Sequence, residues 1–157
     1  STGVAMVNVH AAGGKEMMQA ALRGLEAGST GKRPMLISVT QLTSTSTEQM
    51  NEEQGIPGEV LGSVLRYAKL TKAAGLDGVV CSPLEAAAIK DACGEDFQTI
   101  TPGIRLATSI ADDQKRIMTP SQAAQSGSDY IVVGRPITQA DNSKVTYDQI
   151  TTDWSGQ

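Results

Sequence analysis

Two apolar rhythms alternate along the chain. Short runs rich in β-branched residues give way to stretches in which apolar positions recur every three or four residues, the spacings of a buried strand and of one helical face. The first run is Met6-Val7-Asn8-Val9, and behind Gly13-Gly14 the positions Met17, Met18, Ala21, Leu22 and Leu25 share a helical face before Gly28. Met35 to Val39 is the second run, and Val60, Leu61, Val64, Leu65 and Ala68 trace a second helix that ends at Gly75. Gly78-Val79-Val80-Cys81 is the third strand. After it, Ser82-Pro83-Leu84-Glu85 supplies a capping Ser, a Pro at the first helical position and a Glu that reaches back. Gln98 to Thr101 is the fourth strand, and Thr119-Pro120-Ser121-Gln122 repeats the same device ahead of a helix ending at Gly127. Tyr130 to Val133 is the fifth strand, and a last helix runs from near Asp141 to Trp154 with Val145, Ile150 and Trp154 on its apolar side.

Strand-helix units in succession, with strands too uniformly apolar to leave one face in water, predict a parallel sheet covered by helices. Both a (β/α) barrel and a doubly wound sheet have that rhythm. The chain has 157 residues, whereas an eight-stranded barrel takes about 250. The expectation is therefore five βα units of a larger TIM (β/α)8 barrel, its strands 4 to 8, with residues 1–157 forming the C-terminal part of one barrel domain and the first three units outside the chain. The polar segment from Ser44 to Glu59 reads as an elaborated βα loop with a short helix near Glu48 to Glu53, because a linker there would split a strand from its helix. No repeat beyond the βα rhythm is apparent.

Composition narrows the function classes. Hydrophobic residues make up 39% and charged residues 19%, which is globular rather than disordered. No apolar run approaches the roughly 18–20 residues of a membrane span, and the first residues lack a basic leader, so the expectation is a soluble, cytoplasmic protein with no membrane partner. The net charge of −4, with no basic stripe, argues against a nucleic-acid partner. Cys81 and Cys93 lack the companions of a zinc site or a disulfide framework, and both read as reduced, Cys81 buried and Cys93 near a helix end.

Parallel barrels place their chemistry at the carboxyl ends of the strands. There the chain has Asn8-Val9-His10, Thr40-Gln41-Leu42-Thr43, Ser82, Thr101-Pro102-Gly103-Ile104-Arg105 and Gly134-Arg135. Val132-Val133-Gly134-Arg135-Pro136 has the form of a phosphate site, since Gly admits an oxyanion close to the backbone and a guanidinium clasps it with two bonds. A Gly-Arg turn with Arg135 paired to a surface carboxylate is the equal alternative. The connection from Arg105 to Met118 has the length of a lid, with Asp112 and Asp113 facing water. His10 is the only histidine. Without a G-x-S-x-G elbow it reads as a structural, hydrogen-bonded group near its strand end, and Thr43 by itself reads as an ordinary loop hydroxyl. Metal-ligand clusters are absent from the sequence.

Taken together, the blocks Val7-Asn8-Val9-His10-Ala11-Ala12-Gly13-Gly14, Val39-Thr40-Gln41-Leu42-Thr43-Ser44, Gly75 to Ser82, Thr101-Pro102-Gly103-Ile104-Arg105 and Val132-Val133-Gly134-Arg135 resemble, in order and spacing, bacterial orotidine 5′-phosphate decarboxylases. The resemblance implies a TIM-barrel homodimer that converts orotidine 5′-phosphate to uridine 5′-phosphate, in pyrimidine nucleotide synthesis, without metal or organic cofactor. It implies that Thr43 contacts the pyrimidine, that Pro102 packs near the base, that Arg105 and Gln114 belong to a loop closing over the nucleotide, and that Gly134 and Arg135 hold the phosphate. The family's lysine and aspartates, in an Asp-x-Lys-x-x-Asp motif, have no counterpart here. The only Asp-x-Lys is Asp113-Gln114-Lys115, and Met118 stands where the final Asp is required. No catalytic residue is therefore assigned to this chain, which alone is expected to be inactive. The alternatives are another sugar-phosphate barrel, such as a pentulose-phosphate epimerase or hexulose-phosphate synthase, and a noncatalytic nucleotide-binding half-barrel.

Overall fold

The computed structural model describes residues 3–106 and 118–156. Five parallel strands, β1 (Met6–His10), β2 (Met35–Val39), β3 (Gly78–Val80), β4 (Gln98–Thr101) and β5 (Tyr130–Ile131), form one sheet in the order β1-β2-β3-β4-β5. Sequential order separates the two expected architectures, because a doubly wound sheet reverses its strand order at a switch point. Between the strands lie α1 (Gly14–Gly28), α2 (Thr47–Glu52), α3 (Val60–Ala73), α4 (Ala86–Cys93) and α5 (Pro120–Gln125), and α6 (Arg135–Thr138) and α7 (Ser143–Ser155) follow β5.

Register shows which strand face each side chain takes. The aligned row Val9, Ser38, Val79, Thr99 has the parity of Val7 and Leu36. These side chains meet helices: Val7, Val9 and Leu36 pack with Met18 and Leu22 of α1, Ser38 Oγ lies 2.6 Å from Thr71 Oγ1 of α3, and Val79 joins Val64, Ala68 and Ile89 of α3 and α4. The opposite face carries Asn8, Ile37, Gly78 and Gln98 in one row and His10, Val39, Val80, Ile100 and Tyr130 in the next. Helices packed on one face of a sequentially ordered parallel sheet make a fold of the TIM-barrel type. Gly78 is needed on the open face, since a Cβ there would collide with the Gln98 carbonyl oxygen and side chain.

The caps read from the sequence form. Ser82 N–H donates to Glu85 Oε2 at 2.8 Å and Leu84 N–H to Ser82 Oγ at 3.3 Å, while Thr119 and Gln122 exchange bonds of 3.0 and 3.2 Å. The sequence reading missed a third box, Ser46 with Gln49, which starts α2 one residue before its expected place. Strand β5 stops at Ile131 rather than Val133: it ladders with β4 alone, and the last bond runs from Val132 N–H to the Thr101 carbonyl at 3.0 Å. The chain then turns into the unforeseen α6.

At the amino ends of the strands a module occurs twice, where no repeat beyond the βα rhythm was expected. Helices α3 and α5 end in Schellman turns at Gly75 (φ 88°) and Gly127 (φ 86°), with Leu76 N–H bonded to the Thr71 carbonyl at 3.3 Å and Ser128 N–H to the Ala123 carbonyl at 3.2 Å. Two residues after each glycine an Asp completes the ladder of the preceding strand. Asp77 N–H donates to the Leu36 carbonyl at 2.9 Å while its Oδ2 accepts Leu36 N–H at 2.7 Å, and Asp129 treats Thr99 likewise at 3.0 and 2.7 Å. Each carboxylate also holds a cation. Arg33 grips Asp77 with two bonds of 2.6 and 3.0 Å, and Lys90 Nζ, almost wholly buried, lies 2.7 Å from Asp129 Oδ2. Burial pushes the Asp77 carboxyl up, but the Arg33 hydrogen bond, the Leu36 amide and the guanidinium charge together hold it below the ordinary carboxylate value. Both cysteines are buried and neither forms a disulfide, Cys93 at the last position of α4.

Candidate functional site

Because the five strands are parallel, their carboxyl ends share one edge of the sheet. Thr43 follows β2 by four residues in a turn closed by Thr45 N–H to the Leu42 carbonyl at 2.9 Å, and its side chain is half-buried. Pro102, also half-buried, directly follows β4. Ile104 is buried and forms a parallel bridge with Met118, so that Arg105 N–H reaches the Met118 carbonyl at 3.0 Å and Met118 N–H the Gly103 carbonyl at 3.4 Å. These bonds clamp the two ends of the expected lid. Gln114, like Asp112 and Asp113, lies outside the described residues. Arg105 Nη1 donates to the Ile104 carbonyl at 2.9 Å.

Gly134 and Arg135 are exposed at the start of α6, where Ile137 N–H and Thr138 N–H close onto the Gly134 carbonyl at 2.9 and 3.1 Å. Of the two readings of this turn, the surface ion pair does not form, since Arg135 meets no carboxylate among the described residues. The structure thus brings Thr43, Pro102, Arg105, Gly134 and Arg135 to one edge. A concavity near this edge is lined by Thr45, Glu59, Leu61, Leu84 and Glu85 instead, and takes in none of the five. Among the described residues no cluster of three or more His, Cys, Asp or Glu side chains could hold a metal ion.

His10 departs from its sequence reading. It is exposed, and its imidazole has no hydrogen-bond partner among the described residues, so it is not a structural, hydrogen-bonded histidine. Its neighbour Val9 takes the helix-packed side, which leaves His10 on the open face. Alternation along β1 was the signal that could have found this. The edge is further stiffened by groups the sequence did not single out: Thr40 Oγ1 donates to the Val80 carbonyl at 2.8 Å, buried Gln41 to Ser63 Oγ at 3.2 Å, and Thr101 Oγ1 to Ser128 Oγ at 3.0 Å.

A sequence model of the orotidine 5′-phosphate decarboxylase / HUMPS family matches residues 1–150. The chain belongs to that family. Among curated members, orotidine 5′-phosphate decarboxylase of Listeria innocua is 58% identical over 154 residues, covering 98% of this chain and 66% of the relative. The Bacillus cytotoxicus enzyme of that name is 54% identical over 158 residues, covering 99% of this chain and 66% of the relative. The crystal structure of orotidine 5′-phosphate decarboxylase from Lactobacillus acidophilus superimposes with a TM-score of 0.83 at 40% identity, over 97% of this chain and 64% of that one. An uncharacterized conserved protein from Geobacillus kaustophilus does so with a TM-score of 0.81 at 44% identity, over 97% and 64%. The chain therefore spans just under two thirds of the length of these relatives and solved structures. Its expected placement as the C-terminal portion, strands 4 to 8, is not borne out by the comparisons, and the strand numbers used here are those of this chain alone.

Proposed function

We propose that the protein carrying this chain decarboxylates orotidine 5′-phosphate to uridine 5′-phosphate. The observation that carries the reading is the family match, joined to a carboxyl-edge arrangement that leaves the Arg135 guanidinium without a carboxylate partner among the described residues. Arg135 and the Gly134 backbone hold the phosphate, Thr43 meets the pyrimidine, Pro102 packs near the base, and Arg105 with Gln114 belongs to the segment that closes over the nucleotide. The bond from the pyrimidine ring to its carboxylate breaks, and carbon dioxide leaves. The lysine that protonates the ring carbon and the aspartates that crowd the leaving carboxylate come from βα units outside this chain, a division in which these residues grip and those units provide preorganised charge. No step calls on a metal or organic cofactor. The protein works as a cytoplasmic homodimer; no described helix is long and apolar enough to cross a membrane.

The test is binding by the full-length protein. Arg135→Ala weakens uridine 5′-phosphate by about 2–5 kcal/mol, the scale for truncating one partner of a buried charged contact, and leaves uridine nearly unchanged. Equal losses for both ligands would show that Arg135 supports the fold. Absence of turnover of orotidine 5′-phosphate by the full-length protein would remove the reading as a whole.

A further inference from the structure

The open face of the sheet has an uneven chemistry at its carboxyl end. The row His10, Val39, Val80, Ile100, Tyr130 is apolar through its middle three members, and its polar groups stand at the two ends. Val39 and Ile100 are buried, while His10 is exposed with no partner among the described residues. Strands four places apart in an eight-stranded barrel face each other across its axis, so β1 and β5 stand on opposite sides of the mouth. A ligand whose phosphate sits on Gly134 and Arg135, three and four residues beyond the end of β5, has its other end directed toward β1. The inward group at the carboxyl end of β1 is His10, and its two ring nitrogens can donate or accept a hydrogen bond.

We infer that His10 contacts the nucleoside end of the bound nucleotide, through a hydrogen bond from its imidazole to a polar atom of the pyrimidine or ribose, at the pole of the site opposite the phosphate. The inference rests on the decarboxylase reading. The side chains beside it in the row, Val39, Val80 and Ile100, are apolar and suit the flat face of a heterocycle, and the row's one other polar group, Tyr130, stands on β5, the strand that leads to the phosphate residues. His10 then fixes how the ring is turned over an otherwise featureless surface, a role that needs a directional bond rather than a charge.

The experiment uses the full-length protein. Its imidazole signals are recorded by NMR and the His10 resonance is assigned by its loss in His10→Gln. The His10 resonance shifts on saturation with uridine and with uridine 5′-phosphate and stays in place with inorganic phosphate. In steady-state assays His10→Ala lowers kcat/KM for orotidine 5′-phosphate roughly ten-fold, the scale of one lost hydrogen bond, and His10→Gln recovers part of the loss. Uridine and uridine 5′-phosphate weaken by the same factor in His10→Ala, the opposite of the pattern at Arg135. A His10 resonance unmoved by saturating uridine 5′-phosphate overturns the proposal; that reading is made on the unsubstituted protein, where the signal is also assigned through its couplings to the His10 backbone, so it stands whatever either variant does to folding. Wild-type turnover measured alongside separates this failure from failure of the decarboxylase reading.

Discussion

Removing the carboxylate of Asp129 is the sharpest test of how the amino ends of the strands are held. Oδ2 of Asp129 accepts from Lys90 Nζ at 2.7 Å, from Thr99 N–H at 2.7 Å and from Thr99 Oγ1 at 3.1 Å. The Lys90 side chain is 7% exposed and that of Asp129 28%. Breaking a buried ion pair by deleting one partner costs about 3–5 kcal/mol, because the remaining charge is left uncompensated. The solvent contact of Asp129 places Asp129→Ala at the low end, about 3 kcal/mol, even though Lys90 keeps its bond to the Glu95 carbonyl at 2.7 Å. Lys90→Met deletes the charge and keeps an apolar stem, and Asp129 retains both Thr99 donors, so this variant costs only about 1 kcal/mol. The double variant Lys90→Met/Asp129→Ala strands no ammonium and costs about 2 kcal/mol, well under the separate losses added together. Urea unfolding of the full-length protein measures all three. In thermal melts about 3 kcal/mol corresponds to roughly 6–12 °C for a protein of 150–250 residues. Additivity within about 0.5 kcal/mol, or a loss below about 1 kcal/mol for Asp129→Ala, refutes the reasoning.

Asp77→Asn lowers stability by about 1–2 kcal/mol at neutral pH, a figure reduced for the partial exposure of both Asp77 and Arg33. Since the folded carboxyl is held below its ordinary value, its contribution is fully present above about pH 4 and is lost as the pH falls through the lowered folded value; the variant and the parent should therefore converge in acid unfolding curves, and a gap that persists at low pH contradicts the assignment. Gly78→Ala destabilises by well over the few tenths of a kcal/mol of a neutral strand substitution, because the collision is with the β4 backbone; an unchanged melting temperature would show that β3 and β4 separate freely. Burial pushes the Cys93 thiol up, against the pull of Lys72 and Lys69, and Cys81 is fully buried, so neither reacts with a disulfide reagent at pH 8 until the protein unfolds. The thiol cost appears as stability lost above about pH 9, where the unfolded chain ionises first, and fast labelling of the native protein would show Cys93 to be accessible.

What was legible in the sequence is what hydrogen bonds and periodicity express within a few residues. Ser82 with Glu85 and Thr119 with Gln122 are bonds across three positions, and both formed as read. The apolar stripes of α1 and α3 placed those helices correctly because a face recurs every turn. The order of strand-end motifs identified the family because each block keeps its own neighbours in the chain. The same locality explains the misses. Val132 and Val133 look like strand, but a strand lasts only as long as its partner, and the β4 ladder ends at Thr101.

The sequence by itself determined a βα succession, its caps, its cysteine state and its family. Tertiary structure decided which strand face opens to the barrel mouth, and with it the standing of His10, which the lack of a G-x-S-x-G elbow had suggested was a structural group. It also decided that Arg135 finds no carboxylate among the described residues, and that Asp77 and Asp129 each close a strand ladder while holding a cation, 44 positions away for Asp77 and 39 for Asp129. Pairings over such distances depend on register between strands, and register is set by the packing of the whole sheet against its helices, which no local pattern encodes.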